Sequence, residues 1–262
     1  MDNIIEFDKV SKRFSISGGP FSSKSDFLAL DNISFSMEKG SSLGIVGESG
    51  SGKSTIAKLI CNIYSSYSGT IKFLGKDLNS INKQNKLFYH KNVQMVFQDP
   101  NNCLNPKLTI RSSLIDGIKK HITKNKSEIE DRLVSLMEKV GLTKEHLDRY
   151  PHEFSGGQRQ RISIARAISI EPQLLIADEP VSSLDVSVQA QILNLMKELN
   201  HKGLGIILIS HSLAVVSNMC DNLIVMNKGV LVEKGDTETI LTNPKTDYTK
   251  SLLKASDYTI IS

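Results

Sequence analysis

Apolar and polar positions alternate in short bursts near the start of the chain, and a period of two assigns such bursts to strands. Ile4–Phe7 and Val10–Phe14 read as two short strands, followed by a Ser/Gly-rich loop over Ser15–Ser25. Beyond it Ile33, Phe35 and Met37 alternate with Ser34 and Ser36 as in a half-buried strand, and Glu38-Lys39-Gly40 makes a turn. Leu43–Val46 is a continuous apolar run, and Ser54–Ile63 takes up helical spacing. Thr70–Leu74 and Val93–Phe97 again read as strands. From Asp99 to about Tyr150 the period turns helical, with Ile129, Leu133, Leu136, Met137 and Val140 on one face. A further helix runs from Ser155 to about Ser169. In the last third the strands Leu174–Ala177 and Ile206–Ile209 alternate with the helices Val188–Leu199 and Ala214–Met219. Leu223–Met226 and Val230–Glu233 close a hairpin around Asn227-Lys228-Gly229. Strands separated by helices imply a mainly parallel sheet covered on both faces, an α/β class, with the central helical block inserted into it.

Composition narrows the class further. A chain of 262 residues with 39% hydrophobic and 23% charged residues excludes collagen, extended disorder and a disulfide mini-scaffold. No run approaches the ~18 apolar residues of a bilayer-crossing helix. The acidic start, Met-Asp-Asn-Ile-Ile-Glu-Phe-Asp, lacks the basic and apolar regions of a signal peptide, so an unsecreted soluble chain is expected. The net charge of +4 is spread along the sequence, tryptophan is absent, and aromatics make up 6%. A nucleic-acid partner, which calls for a basic stripe and base-contacting aromatics, is therefore not expected. Cys61, Cys103 and Cys220 are an odd, widely spaced set without a Cys-x-x-Cys pair, and read as small hydrophobes in a reducing compartment.

The chemistry begins at Gly47-Glu48-Ser49-Gly50-Ser51-Gly52-Lys53-Ser54, a full match to the phosphate-loop pattern G-x-x-x-x-G-K-S/T between an apolar strand and a helix. The glycines let backbone N–H groups turn inward around a β-phosphate, and the following helix, with Thr55 in its first turn, adds the positive end of its dipole. Lys53 is a point charge for the β- and γ-phosphates, and Ser54 is a hydroxyl ligand for Mg²⁺. A second element must hold the metal and the water. Leu174–Ala177 runs into Asp178-Glu179, two carboxylates at the carboxyl end of a strand, where ligand crevices of parallel sheets open. Asp178 suits the metal, and Glu179 suits the attacking water as general base. Gln98, after Val96-Phe97, and His211, after Ile206–Ile209 and Ser210, are weak signals taken alone.

Phe154-Ser155-Gly156-Gly157-Gln158-Arg159-Gln160-Arg161, set between the phosphate loop and Leu174–Glu179, resembles the signature sequence of ABC-transporter ATPases. The resemblance covers nearly the whole chain. It implies a P-loop NTPase fold: a RecA-like, mainly parallel sheet with flanking helices, an antiparallel β subdomain, and an inserted α-helical signature subdomain. On that pattern residues 1–98 and 167–262 form the core and residues 99–166 the helical part of a single nucleotide-binding domain. Gln98 falls at the Q-loop and adds to the metal set, Ser183-Leu184-Asp185 at the D-loop, and His211 at the switch histidine. Phe14 falls at the aromatic position that stacks on adenine, where any ring face serves.

The resemblance also implies partners. Ser155-Gly156-Gly157, with Gln158, opens a helix and presents amides and a hydroxyl to an anion, although the chain already has one phosphate cradle. In the family this second set faces the ATP held by another ATPase domain, so the chain is expected to pair with a second ATPase subunit. Met95-Val96-Phe97-Gln98-Asp99-Pro100 with Leu104-Asn105-Pro106, Arg149–Phe154 and Val186–Leu193 resemble the peptide/nickel importers. Asp178-Glu179-Pro180-Val181-Ser182 is most similar to the second of their two ATPase subunits. Two permeases in the membrane, and indirectly an extracellular binding protein, are implied, with this chain peripheral at the cytoplasmic face. Asn243-Pro244 and Tyr248-Thr249 through Leu252-Leu253 echo the family's closing His-Pro-x-x-Tyr-Thr-x-x-Leu-Leu, with the histidine replaced. The short ending, without a cysteine-bearing tail, leans toward nickel or metal-chelate cargo and gives no support to an iron–sulfur site. Soluble ABC ATPases acting on DNA or ribosomes are the rival class. The short interval from Gln98 to Ser155 and the single copy of each motif oppose it, and the subgroup motifs oppose an exporter.

Overall fold

The computed structural model describes residues 2–16, 25–99, 103–182 and 184–255. Pro100, Ser183 and most of the loop expected over Ser15–Ser25 lie outside the described residues. Strands β1 (Asn3–Ile16), β2 (Ser25–Glu38), β4 (Ser68–Phe73) and β5 (Lys76–Asp77) form an antiparallel sheet in the order β2-β1-β4-β5. The two short strands expected before Ser15 are one strand with a bulge. Lys9 takes φ +50 and the register shifts between Phe7 and Val10, so the polar interruption at Asp8-Lys9 bends the ladder without ending it.

The second sheet holds β3 (Ser42–Val46), β6 (Val93–Val96), β7 (Leu174–Asp178), β8 (Gly205–Ile209), β9 (Asn222–Asn227) and β10 (Val230–Asp236), ordered β10-β9-β3-β8-β7-β6. All neighbours are parallel except the edge hairpin β9–β10. The pleat deals alternate side chains to opposite cores. Ile45, Ile176, Ile207 and Ile224 face the antiparallel sheet and helix α1 (Lys53–Ile60). Val46, Leu175, Leu208 and Val225 face the helical side, built from α3 (Ile110–His121), α4 (Lys126–Lys139), α5 (Gly156–Ile168), α6 (Val186–His201), α7 (Leu213–Met219) and α8 (Thr237–Thr242).

Three helices emerge only in the structure, and the first of them carries no clear apolar period. In α2 (Lys83–Asn92) the Asn82 side chain accepts from Asn85 N–H at 2.9 Å as the cap, and Tyr89, 1% exposed, is the buried anchor. The others are α8 and α9 (Asp247–Ala255). Cys103 and Cys220 are buried, and burial pushes the Cys61 thiol up to about 12. Among the described residues no helix is long and apolar enough to cross a membrane.

Candidate functional site

Chain segments leaving the carboxyl ends of β3, β6, β7 and β8 converge on one cleft of about 490 Å³. Its lining includes Ser49, Gly50, Gly52, Lys53, Ser54 and Thr55 of the phosphate loop together with Gln98, Glu179 and His211. Gly52, at φ +103, is the pivot into α1. A Cβ there would stand 2.7 Å from Leu30 Cδ2 and 2.9 Å from the Ala29 carbonyl oxygen. Lys53, 6% exposed, donates to the carbonyl oxygens of Gly47 at 2.7 Å and Glu48 at 2.8 Å. The β9–β10 turn braces the loop from outside, with Gly229 N–H donating to the Ser51 carbonyl at 3.0 Å and Asp31 N–H to the Gly229 carbonyl at 2.8 Å.

Below the loop the Ser54 hydroxyl donates to Asp178 Oδ1 at 3.3 Å, so two of the three residues expected to hold Mg²⁺ are already side by side. The next residue, Glu179, has φ +47, a conformation uncommon outside glycine and costly in isolation. Its N–H is held by the Ile209 carbonyl at 2.9 Å, and its own carbonyl accepts from Ser182 N–H at 3.4 Å and Oγ at 3.2 Å. The turn swings the carboxylate into the cleft, where Gln98 Nε2 donates to Oε2 at 3.0 Å and His211 Nδ1 stands 3.3 Å from Oε1. Two residues that are weak in the sequence thus meet on the two oxygens of one carboxylate.

The electrostatics of this floor are opposed by burial. Desolvation lowers the Lys53 pKa against the pull of Glu179, Asp178 and Glu48. Desolvation also raises the Asp178 pKa, with the Ser54 hydrogen bond opposing it. A raised folded pKa means that Asp178 favours the fold only while protonated. That contribution is complete below the ordinary value of 3.8 and is lost as pH rises through the folded value. At neutral pH the ionised carboxylate therefore counts against the nucleotide-free fold. Asp178→Asn is expected to raise Tm at pH 7 without nucleotide, to lose that advantage as pH falls toward 4, and to lose Mg²⁺-dependent hydrolysis. Thermal melts across pH, paired with hydrolysis assays, check all three.

The structure keeps the signature residues out of this cleft. Ser155, Gly157 and Gln158 line a separate cavity of about 650 Å³ between α4, α5 and α6. Ser155 caps α5: its Oγ accepts from Gln158 N–H at 3.3 Å, and Gln158 Oε1 accepts from Ser155 N–H at 3.0 Å. Gly157 allows the close approach of α6, since a Cβ would lie 2.6 Å from Val188 Cγ1. Gly156 follows the cap in the same first turn, and Asp185 caps α6 by accepting from Val188 N–H at 2.9 Å. The Phe14 ring packs edge-on against Tyr64 and under the Lys12 ammonium, 4.8 Å away. The aromatic in the cleft lining is its cross-strand partner Phe27, 52% exposed, which follows the Ser/Gly-rich stretch and stands outside any motif.

A phosphate loop after β3, carboxylates after β7 and a parallel sheet between them define a P-loop NTPase cassette. The chain belongs to the ABC transporter family, whose pattern matches residues 30–182. It is 47% identical over 230 residues to the oligopeptide transport ATP-binding protein OppF of Bacillus subtilis, covering 87% of this chain and 75% of that protein. It is 44% identical over 248 residues to the dipeptide transport ATP-binding protein DppF of Haemophilus influenzae, covering 94% and 76%. Among solved structures, cbiO1 of Clostridium perfringens, part of the ABC transporter complex cbiONQ, superposes with a TM-score of 0.79 at 26% identity, covering 93% of this chain and 92% of that one. A dimeric ATP-binding cassette in a post-hydrolysis state with ADP and Pi gives 0.78 at 25% identity, covering 89% and 98%.

Proposed function

We propose that this chain is the ATP-hydrolysing subunit of an ABC importer of peptides, peripheral at the cytoplasmic face of a membrane and paired with a second ATPase subunit and two permeases. The observation that carries the reading is the meeting, at four strand ends, of the phosphate loop, the Ser54–Asp178 pair and the Gln98–Glu179–His211 group. Peptide cargo is favoured over nickel or metal chelates by the oligopeptide and dipeptide relatives. The helical part would span residues 99–166, and the core residues 1–98 and 167–262.

In this reading the amides of the Gly47–Ser54 loop that face the cleft and the start of α1, with Thr55, receive the β-phosphate. Lys53 turns its ammonium from the Gly47 and Glu48 carbonyls toward the β- and γ-phosphates. Ser54, Asp178 and Gln98 would hold Mg²⁺, whose charge would offset that of the phosphates. Glu179 takes up a proton from the attacking water, while Gln98 and His211 keep its two oxygens in place. Phe27, with Phe14 beside it, offers ring faces to the base. Ser155, Gly156, Gly157, Gln158 and Asp185 act on the ATP of the partner, and pairing itself is supported by the similar cassette that is dimeric with ADP and Pi bound.

Lys53→Ala tests the reading. The variant is expected to fold and to bind MgATP at least about tenfold more weakly, since it loses the fixed charge aimed at the phosphates. Equilibrium titration measures it, and tight MgATP binding by the folded variant would count against the site. Hydrolysis should also rise when permeases, the sister subunit and a peptide-loaded binding protein are added. A rise with a nickel chelate and none with peptide would overturn the cargo.

A further inference from the structure

The last residues of the described chain reach back to the phosphate loop. Glu233 on β10, 8% exposed, accepts from Lys245 N–H at 2.8 Å, Thr246 N–H at 3.2 Å and Thr246 Oγ1 at 3.2 Å. Thr246 Oγ1 is in turn 2.7 Å from Thr249 Oγ1 and accepts from Thr249 N–H at 3.2 Å. The first turn of α9 is thereby tied to the sheet, and Leu252 and Leu253 press the helix onto the core. From this anchored helix the Tyr248 ring packs on the same core, and its hydroxyl accepts the Glu48 N–H at 3.4 Å. One peptide group of the phosphate loop is thus held from both sides. Its N–H, that of Glu48, points out to Tyr248, and its carbonyl, that of Gly47, accepts from the Lys53 ammonium at 2.7 Å.

Only one of those two holds can persist through the cycle. When Lys53 turns toward phosphates, the Glu48 carbonyl keeps the Ser51 N–H at 3.2 Å while the Gly47 carbonyl gives up its bond to Lys53. The outer bond remains to fix the Gly47–Glu48 peptide. We propose that Tyr248 is a positioning residue for ATP: its hydroxyl, delivered by the Glu233-anchored helix α9, keeps the start of the phosphate loop in its binding-competent shape. This rests on the reading of Gly47–Ser54 as the ATP phosphate site. It also gives the tyrosine of the closing motif a task beyond packing. The hydroxyl is not among the groups lining the cleft, and Glu179, Gln98 and His211 do not touch it. Its loss should therefore weaken ATP binding and leave saturated turnover intact.

Tyr248→Phe in the full chain is the test, because it keeps the ring and removes only the oxygen. Amide hydrogen exchange at Glu48 without nucleotide should quicken about fivefold, and the Kd and KM for MgATP should rise about three- to tenfold. The kcat should stay within about twofold and Tm within about 2 °C. Glu233→Gln, which weakens the anchor without entering the site, should move Kd in the same direction by a smaller factor. Unchanged Kd and unchanged Glu48 exchange in Tyr248→Phe would overturn the proposal. So would a joint fall of Tm, kcat and affinity, which would make the tyrosine a core group only. Failure of the wild-type chain to bind MgATP would instead strike the ATP reading itself.

Discussion

Glu179→Gln is expected to bind MgATP about as well as the wild-type chain and to turn it over at least ~10²-fold more slowly. The amide copies the shape of the carboxylate, so Gln98 Nε2 keeps an oxygen acceptor where it now donates at 3.0 Å. The backbone that aims the residue is held from elsewhere, by the Ile209 carbonyl and the Ser182 donors, and those bonds do not depend on side-chain charge. What disappears is the group able to take a proton from water, together with the negative partner 3.3 Å from His211. On the proposed reading the ground state is gripped by the loop, Lys53 and Ser54, which the substitution leaves in place, so the loss should appear in kcat and not in KM. Binding by titration and single-turnover hydrolysis separate the two quantities. Hydrolysis near the wild-type rate would place the base on another residue. A matching loss of ATP affinity would mean that Glu179 serves binding more than chemistry.

The parts of this site that were legible in the sequence are those that must be local. A phosphate loop needs its glycines, lysine and hydroxyl within eight positions, and a strand end offering Asp178 and Glu179 needs an apolar run directly before it. The gathering of Gln98, Glu179 and His211 has no such local mark. It depends on β6, β7 and β8 lying side by side, and the sequence separations follow from helices inserted between them. The φ of +47 at Glu179 is equally silent, because no glycine announces it. Phe27 carries no mark in the sequence for a related reason: its place in the cleft comes from pairing with Phe14 across the β1–β2 ladder. In the parallel sheet, both faces are covered, so Ile206–Ile209 reads as a strand without revealing that Ile207 and Leu208 face different cores. Helix α2 stays hidden because its polar positions outweigh the period, and among its described side chains Tyr89 supplies the buried apolar anchor. The closing Tyr-Thr motif was visible as a pattern, while its contact with Glu48 spans 200 positions and belongs to the fold alone.

Ser155→Arg is expected to leave ATP binding to the isolated subunit nearly intact and to abolish hydrolysis in the assembled transporter. The isolated chain's own cradle is built from Gly47–Ser54, and Ser155 lines a different cavity bounded by α4, α5 and α6. Ser155 Oγ accepts from Gln158 N–H, which leaves its own hydrogen free to donate to an anion presented from outside. The following turn adds the positive end of α5. Such a set of donors, exposed and remote from the phosphate loop of the same chain, is suited to phosphate carried by a second subunit. Arginine at this position loses the cap, at a cost of about 1 kcal/mol, which the isolated fold should tolerate with a small fall in Tm. Its side chain would also fill the gap into which, on the proposed pairing, the partner's γ-phosphate would come. The wild-type subunit alone should hydrolyse ATP slowly at low concentration and faster once its sister subunit and permeases are added. The variant should show the slow rate only, with unchanged affinity by titration. Loss of ATP affinity in the isolated variant would place Ser155 at its own chain's nucleotide, and full activity of the assembled variant would remove the shared site altogether.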